Sequence, residues 1–105
     1  MTDSKILNIS SIYDYWQINT NEFVISIYNP FMIEGRNNKL MSIDKEKIDI
    51  IIGGIITNVI FQEGKQLMFE LDNYKKLYIL LKDEDYSRPE ALCLNYKSGE
   101  IIVVQ

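Results

Sequence analysis

The stretch QLMFELDNYKKLYILLKDEDYSRPEA, residues 66–91, carries two runs of alternating apolar side chains and then breaks into acid. Side chains two apart in a strand share a face, so Leu67, Phe69 and Leu71 form one row, and Leu77, Ile79 and Leu81 form another. Glu70, Asp72, Tyr78 and Lys82 point the other way. The pattern predicts a β-hairpin whose apolar face enters the core and whose second strand runs into an acidic turn, Asp83-Glu84-Asp85-Tyr86-Ser87-Arg88-Pro89-Glu90.

The flanks extend the sheet. Residues 55–62 are rich in β-branched side chains and meet the hairpin through the turn Glu63-Gly64-Lys65. Beyond the acidic turn, 91–96 and 100–104 predict a last hairpin around Lys97-Ser98-Gly99. Toward the N-terminus, Trp16-Gln17-Ile18, the turn-rich Asn19-Thr20-Asn21 and the strand 23–28 predict a first hairpin, which Asn29-Pro30 ends because proline has no ladder donor. Residues 31–34 are expected as an edge segment, with 39–43 pairing back across the turn cluster 35–38. Residues 6–16 fit neither a helical nor a strand period, and both readings stay open.

Residues 42–52 are compatible with one or two helical turns capped by Ser42 or Asp44 and stopped by Gly53-Gly54. A weak echo links WQINTNEFVISIY (16–28) to FELDNYKKLYILLK (69–82), each an aromatic-led short strand, a polar turn and a longer apolar strand. Two similar β units and the generic likeness of any two hairpins account for it equally well. The expected architecture over 1–105 is a single, mainly β domain. It is an antiparallel meander, sandwich-like or an open barrel, with one or two short helices.

Composition agrees. Of the 105 residues 47% are hydrophobic and 25% charged, as in folded globular chains. The net charge of −4 opposes attraction to phosphate backbones, so direct nucleic-acid binding is not expected and any charged partner is expected to be basic. The start, Met1-Thr2-Asp3-Ser4-Lys5, shows no secretory pattern, and the expected compartment is the cytoplasm, where the match of Asn8-Ile9-Ser10 to a glycosylation site has no meaning. The longest apolar stretch, 48–61, is interrupted by Asp49, Gly53, Gly54 and Asn58 and falls short of the roughly 20 residues that cross a bilayer, so no membrane association is expected. The single cysteine, Cys93, forms no internal disulfide and reads as a small residue on a sheet.

Much chemistry is missing. The chain has no histidine, which removes histidine-based triads, histidine general bases and most catalytic zinc sites. Gly53-Gly54 lacks the remaining elements of a phosphate loop and reads as a bend. A calcium loop starting at Asp83 fails at its sixth position, Arg88, where glycine is needed, and at its twelfth, Leu94, where a bidentate Glu is needed. Paired-carboxylate hydrolysis by Asp83, Asp85 and Glu90 would need a substrate cleft and one raised pKa, and the sequence shows neither. No catalytic residue, cofactor or metal ligand is assigned. A cluster of carboxylates beside Tyr86 does suit contact with a basic protein. The other acidic group, Asp44, Glu46 and Asp49, is partly cancelled by Lys45 and Lys47.

The pattern L-x-F-x-L-x(5)-L-x-I-x-L over 67–81, followed by DEDYSRPEAL (83–92) and GEIIV (99–103), resembles small bacterial immunity proteins of polymorphic-toxin and contact-dependent growth inhibition systems. GGIITNV (53–59), YWQI (15–18) and FVISIYNP (23–30) fit the same plan. The resemblance implies a non-enzymatic, cytoplasmic, acidic domain that neutralises a cognate toxin domain, frequently a nuclease, by stoichiometric binding. It carries no residue roles with it. The expected contacts, Asp83, Glu84, Asp85, Tyr86 and Glu90, come from the residues themselves, with Arg88 holding the loop through a local carboxylate pair. The rival reading is a small phage- or plasmid-borne regulator or inhibitor of a host enzyme.

Overall fold

The hairpin over 66–81 forms as its alternation predicts. In the computed structural model, which describes residues 3–35, 40–42, 51–73 and 75–105, Leu67, Phe69, Leu71, Leu77, Ile79 and Leu81 are all buried. The pairing Phe69↔Leu77 sets the register that puts both apolar rows on one face.

Ten strands occur among the described residues: β1 (Ser4–Ile12), β2 (Tyr15–Thr20), β3 (Phe23–Ile27), β4 (Phe31–Glu34), β5 (Leu40–Ser42), β6 (Ile55–Gln62), β7 (Gln66–Leu71), β8 (Lys76–Leu80), β9 (Leu92–Tyr96) and β10 (Ile101–Val104). Every pairing is antiparallel, in the order β10-β9-β3-β2-β1-β6-β7-β8-β4-β5. The sheet is open, with β5 and β10 as its edges, and folds over one core. Trp16 of β2 meets Phe31 of β4 edge to face at 6.0 Å, and Ile18, Ile25, Ile56, Phe69 and Leu92 are fully enclosed. Each such side chain contributes about 1.5–3 kcal/mol through burial. The mainly β, antiparallel, unclosed architecture is therefore as expected. The helix predicted over 42–52 falls mostly outside the described residues; the 3-10 turn Asp83–Asp85 lies elsewhere.

The strand order reads the same when β1–β5 are exchanged for β6–β10. Each half supplies a three-stranded meander, β1-β2-β3 or β6-β7-β8, and a hairpin, β4-β5 or β9-β10. The hairpins are traded: β9 pairs with β3, and β4 with β8. The halves join where Ser4↔Ile56 and Lys5↔Ile55 pair, about a pseudo-twofold axis. Hydrogen bonds repeat across that axis. Asp3 N–H donates to the Ile56 carbonyl (2.6 Å) as Gly53 N–H donates to that of Ile6 (2.8 Å), and both donors have positive φ, 68° and 88°. The Lys5 amide donates to Asn21 Oδ1 (2.8 Å) as the Ile55 amide donates to Asp72 Oδ1 (2.9 Å). Tyr28 N–H reaches the Ala91 carbonyl (2.9 Å) as Leu80 N–H reaches that of Pro30 (3.0 Å). Register shifts also match, between Ile6 and Asn8 and between Ile56 and Asn58. The sequence echo thus marks a real repeat, offset by its alignment: register makes Leu67, not Phe69, the counterpart of Trp16.

Three local expectations change. Residues 6–16 are strand on both sides of a two-residue turn at Tyr13-Asp14. The first hairpin turns at Asn21-Glu22, one step later than the turn-rich run suggests. There the Thr20 hydroxyl donates to the Phe23 carbonyl (2.9 Å) and accepts from the Phe23 amide (3.0 Å). β4 is an interior strand, because β5 pairs outside it. Gly54 allows a close approach, since a Cβ there would lie 3.1 Å from the Ile51 carbonyl oxygen and 3.2 Å from Leu71 Cδ1.

Candidate protein-contact site

The acidic turn begins where buried Leu81 ends the core-facing row of the central hairpin. Asp83–Asp85 close into a 3-10 turn. The Asp85 amide donates to the Lys82 carbonyl (2.8 Å), and the Lys82 amide donates back to Asp85 Oδ2 (3.0 Å). Asp85 is therefore half-buried and engaged, whereas Asp83 and Glu84 are exposed. Tyr86 packs against the core, and Ala91 is buried, donating its amide to the Val104 carbonyl (2.8 Å).

Arg88 fastens the turn. Its Nη2 lies 2.7 Å from Asp14 Oδ2, and its guanidinium carbon lies 4.7 Å from the Tyr28 ring centroid and 5.7 Å from that of Tyr15. These two rings are 5.4 Å apart and tilted, giving the cation two π faces. The Arg88 hydrogen bond holds the Asp14 carboxyl below its ordinary pKa, and Asp14 in turn raises that of Arg88. The local carboxylate pair expected for Arg88 is replaced by this contact to the β1–β2 turn. Chain proximity suggests a carboxylate within the loop as partner; the β1–β2 turn and the end of β3 supply Asp14 and the two tyrosines instead.

The turn divides two hollows. One, about 450 Å³, is lined by Asp14, Trp16, Tyr28, Phe31, Asp85 and Ser87 among others. The other, about 460 Å³, is lined by Glu63, Leu81, Asp83, Tyr86 and Arg88 among others. The five expected contacts are thus not one patch. Asp85 faces the first hollow, Asp83 and Tyr86 face the second, Glu84 stands free in solvent, and half-buried Glu90 lines neither.

Sequence reasoning missed Asp14, Trp16, Tyr28 and Glu63. The dense aromatic run Tyr13-Asp14-Tyr15-Trp16 was the available signal, but nothing local ties it to the acidic turn. Carboxylates beside aromatic walls suit a cationic side chain, attracted by charge and by ring faces. Away from the turn, Tyr78 has its pKa raised, first by burial and then by the Glu34 charge beside it, and Glu34 also lies 3.7 Å from Lys76 Nζ.

Among the described residues no group of three or more His, Cys, Asp or Glu is placed to hold a metal ion, and no helix is long and apolar enough to cross a membrane. No family model, curated protein or solved structure matches the chain.

Proposed function

We propose that this protein is a non-enzymatic immunity protein that binds a cognate, basic bacterial toxin domain in the cytoplasm and blocks its working surface. The observation that carries the proposal is a turn locked by Arg88 and by Asp85 while Asp83 and Glu84 stay exposed beside two carboxylate-lined hollows. A preorganised acidic surface steers a basic partner and loses little entropy on binding. The sequence resemblance supplies the kind of partner, a toxin domain that in such systems is frequently a nuclease.

The test is co-expression with the toxin domain encoded beside this gene, followed by isolation of the complex. Rescue with a stable stoichiometric complex supports the proposal, and absence of rescue by the wild-type chain refutes it. Replacing Asp83 and Glu84 together by Ser should slow association by about tenfold at low salt and flatten its salt dependence. Unchanged association kinetics would remove the acidic turn from the contact surface.

A further inference from the structure

Natural sheets guard their edges with charge, proline or a covering element. Among the described residues the β10 edge has none of these. Its four residues, Ile101-Ile102-Val103-Val104, are uncharged and apolar on both faces, with Ile101 64% and Val103 46% exposed. One side of β10 pairs with β9. Tyr96 N–H donates to the Glu100 carbonyl and Ala91 N–H to that of Val104. The alternation of an antiparallel ladder therefore turns residues 100, 102 and 104 toward β9 and leaves the amides and carbonyls of Ile101 and Val103 facing outward.

A shallow apolar groove runs beside this edge, lined by Phe61, Leu67, Leu94 and Ile102, with Phe61 56% exposed. Acid marks both ends. Glu100 precedes β10, and at the other end Gln105 lines both the groove and the hollow that holds Glu63 and Asp83. A second copy pairing antiparallel here would bring acid against acid at each end. A segment with basic ends would not.

We infer that the β10 edge receives an extended segment of another protein, apolar in its middle and flanked by Lys or Arg, which adds a strand beside β10. Outward-facing backbone groups of Ile101 and Val103 supply the ladder. Its apolar side chains cover Phe61 and Ile102 on one face and Ile101 and Val103 on the other, and its basic ends meet Glu100 and the Glu63–Asp83 hollow. This goes beyond the acidic turn: it names a second surface and a backbone mode of recognition.

The probe is the acetylated and amidated peptide Lys-Val-Val-Val-Val-Val-Lys, titrated into the full isotope-labelled chain by NMR. The expected result is shifted, exchange-protected amides at Ile101 and Val103, with about tenfold weaker binding to Val103→Pro, which lacks the outward donor. A Glu-ended version of the peptide should bind less well, with the difference shrinking in high salt. Should Val103→Pro lose its fold, the wild-type chain still decides: the same peptide N-methylated on every backbone amide has no donor on either edge, cannot form a ladder and should not bind. Equal binding of the methylated peptide, or protection of a different set of amides, overturns the inference. So does a dimer of the chain alone that Val103→Pro abolishes, since a second copy is then the occupant. Failed rescue of the toxin with peptide protection intact dismisses the immunity reading and sustains this one.

Discussion

Leu92→Ala tests the exchange of hairpins directly. Leu92 is fully buried in β9 and lies opposite Ile27 of β3, so it belongs to one half by chain order and completes the meander of the other. Truncating a fully enclosed Leu costs about 2–5 kcal/mol, from lost transfer energy plus the cavity left behind. Against the 5–15 kcal/mol typical of a whole domain, roughly 3 kcal/mol is severe, and it corresponds to a fall in Tm of about 12–24 °C. The assay is urea and thermal unfolding followed by two probes: fluorescence of Trp16, the only tryptophan, in β2, and amide exchange in β7 and β8. Because β4 of the first half completes β8, the loss should propagate, and both probes should shift together to one midpoint. Two separated transitions, or exchange in β7 and β8 that keeps its wild-type protection, would refute the interlocking of the halves. A destabilisation below about 1 kcal/mol would refute the packing assigned to Leu92.

Two further outcomes follow from the charged groups. Arg88→Gln should return the Asp14 carboxyl toward its ordinary value of 3.8 and speed amide exchange across 83–90, both readable by NMR. In the wild type the Asp14 contribution is present above pH 3.8 and is lost as pH falls through the lowered folded value, so acid should loosen the turn there, and Arg88→Gln should weaken that dependence, leaving the part due to the Asp14 backbone hydrogen bond. Tyr78 has the opposite sign: with its folded pKa raised above 10.0, its contribution is complete below that pH and is lost as pH rises through the folded value. Tyr78→Phe should flatten the alkaline limb of a stability-against-pH curve measured by urea unfolding.

Alternation is a local signal, and over the second half of the chain, where strands meet through short turns, it read correctly. The rows Leu67-Phe69-Leu71 and Leu77-Ile79-Leu81, the strand 55–62 and the final hairpin all formed where expected. Alternation does not name a distant partner. Ile25 and Ile27 would suit any apolar strand, and their choice of β9 reflects a trade between halves that no short-range pattern encodes. For the same reason Phe31 to Glu34 looked like an edge and proved interior. The site divides along the same line. The position of the acidic turn was legible from composition, while the commitment of Asp85 to the Lys82 amide, the packing of Tyr86 and the grip of Asp14 on Arg88 depend on contacts made only after the sheet folds.

The traded hairpins bear on how the chain comes to be folded during synthesis. As it leaves the ribosome, the β1-β2-β3 meander is finished early, yet the strand that covers the free side of β3 is translated only after β4 through β8. Meanwhile β4 waits for β8. Neither half can bank its stability ahead of the other, so the nascent chain carries open, apolar strand edges until late in elongation. Long-range pairings of this kind delay the productive transition and lengthen exposure to aggregation and to chaperone capture. Slowing translation, which helps many chains that fold one unit at a time, should bring this one little benefit.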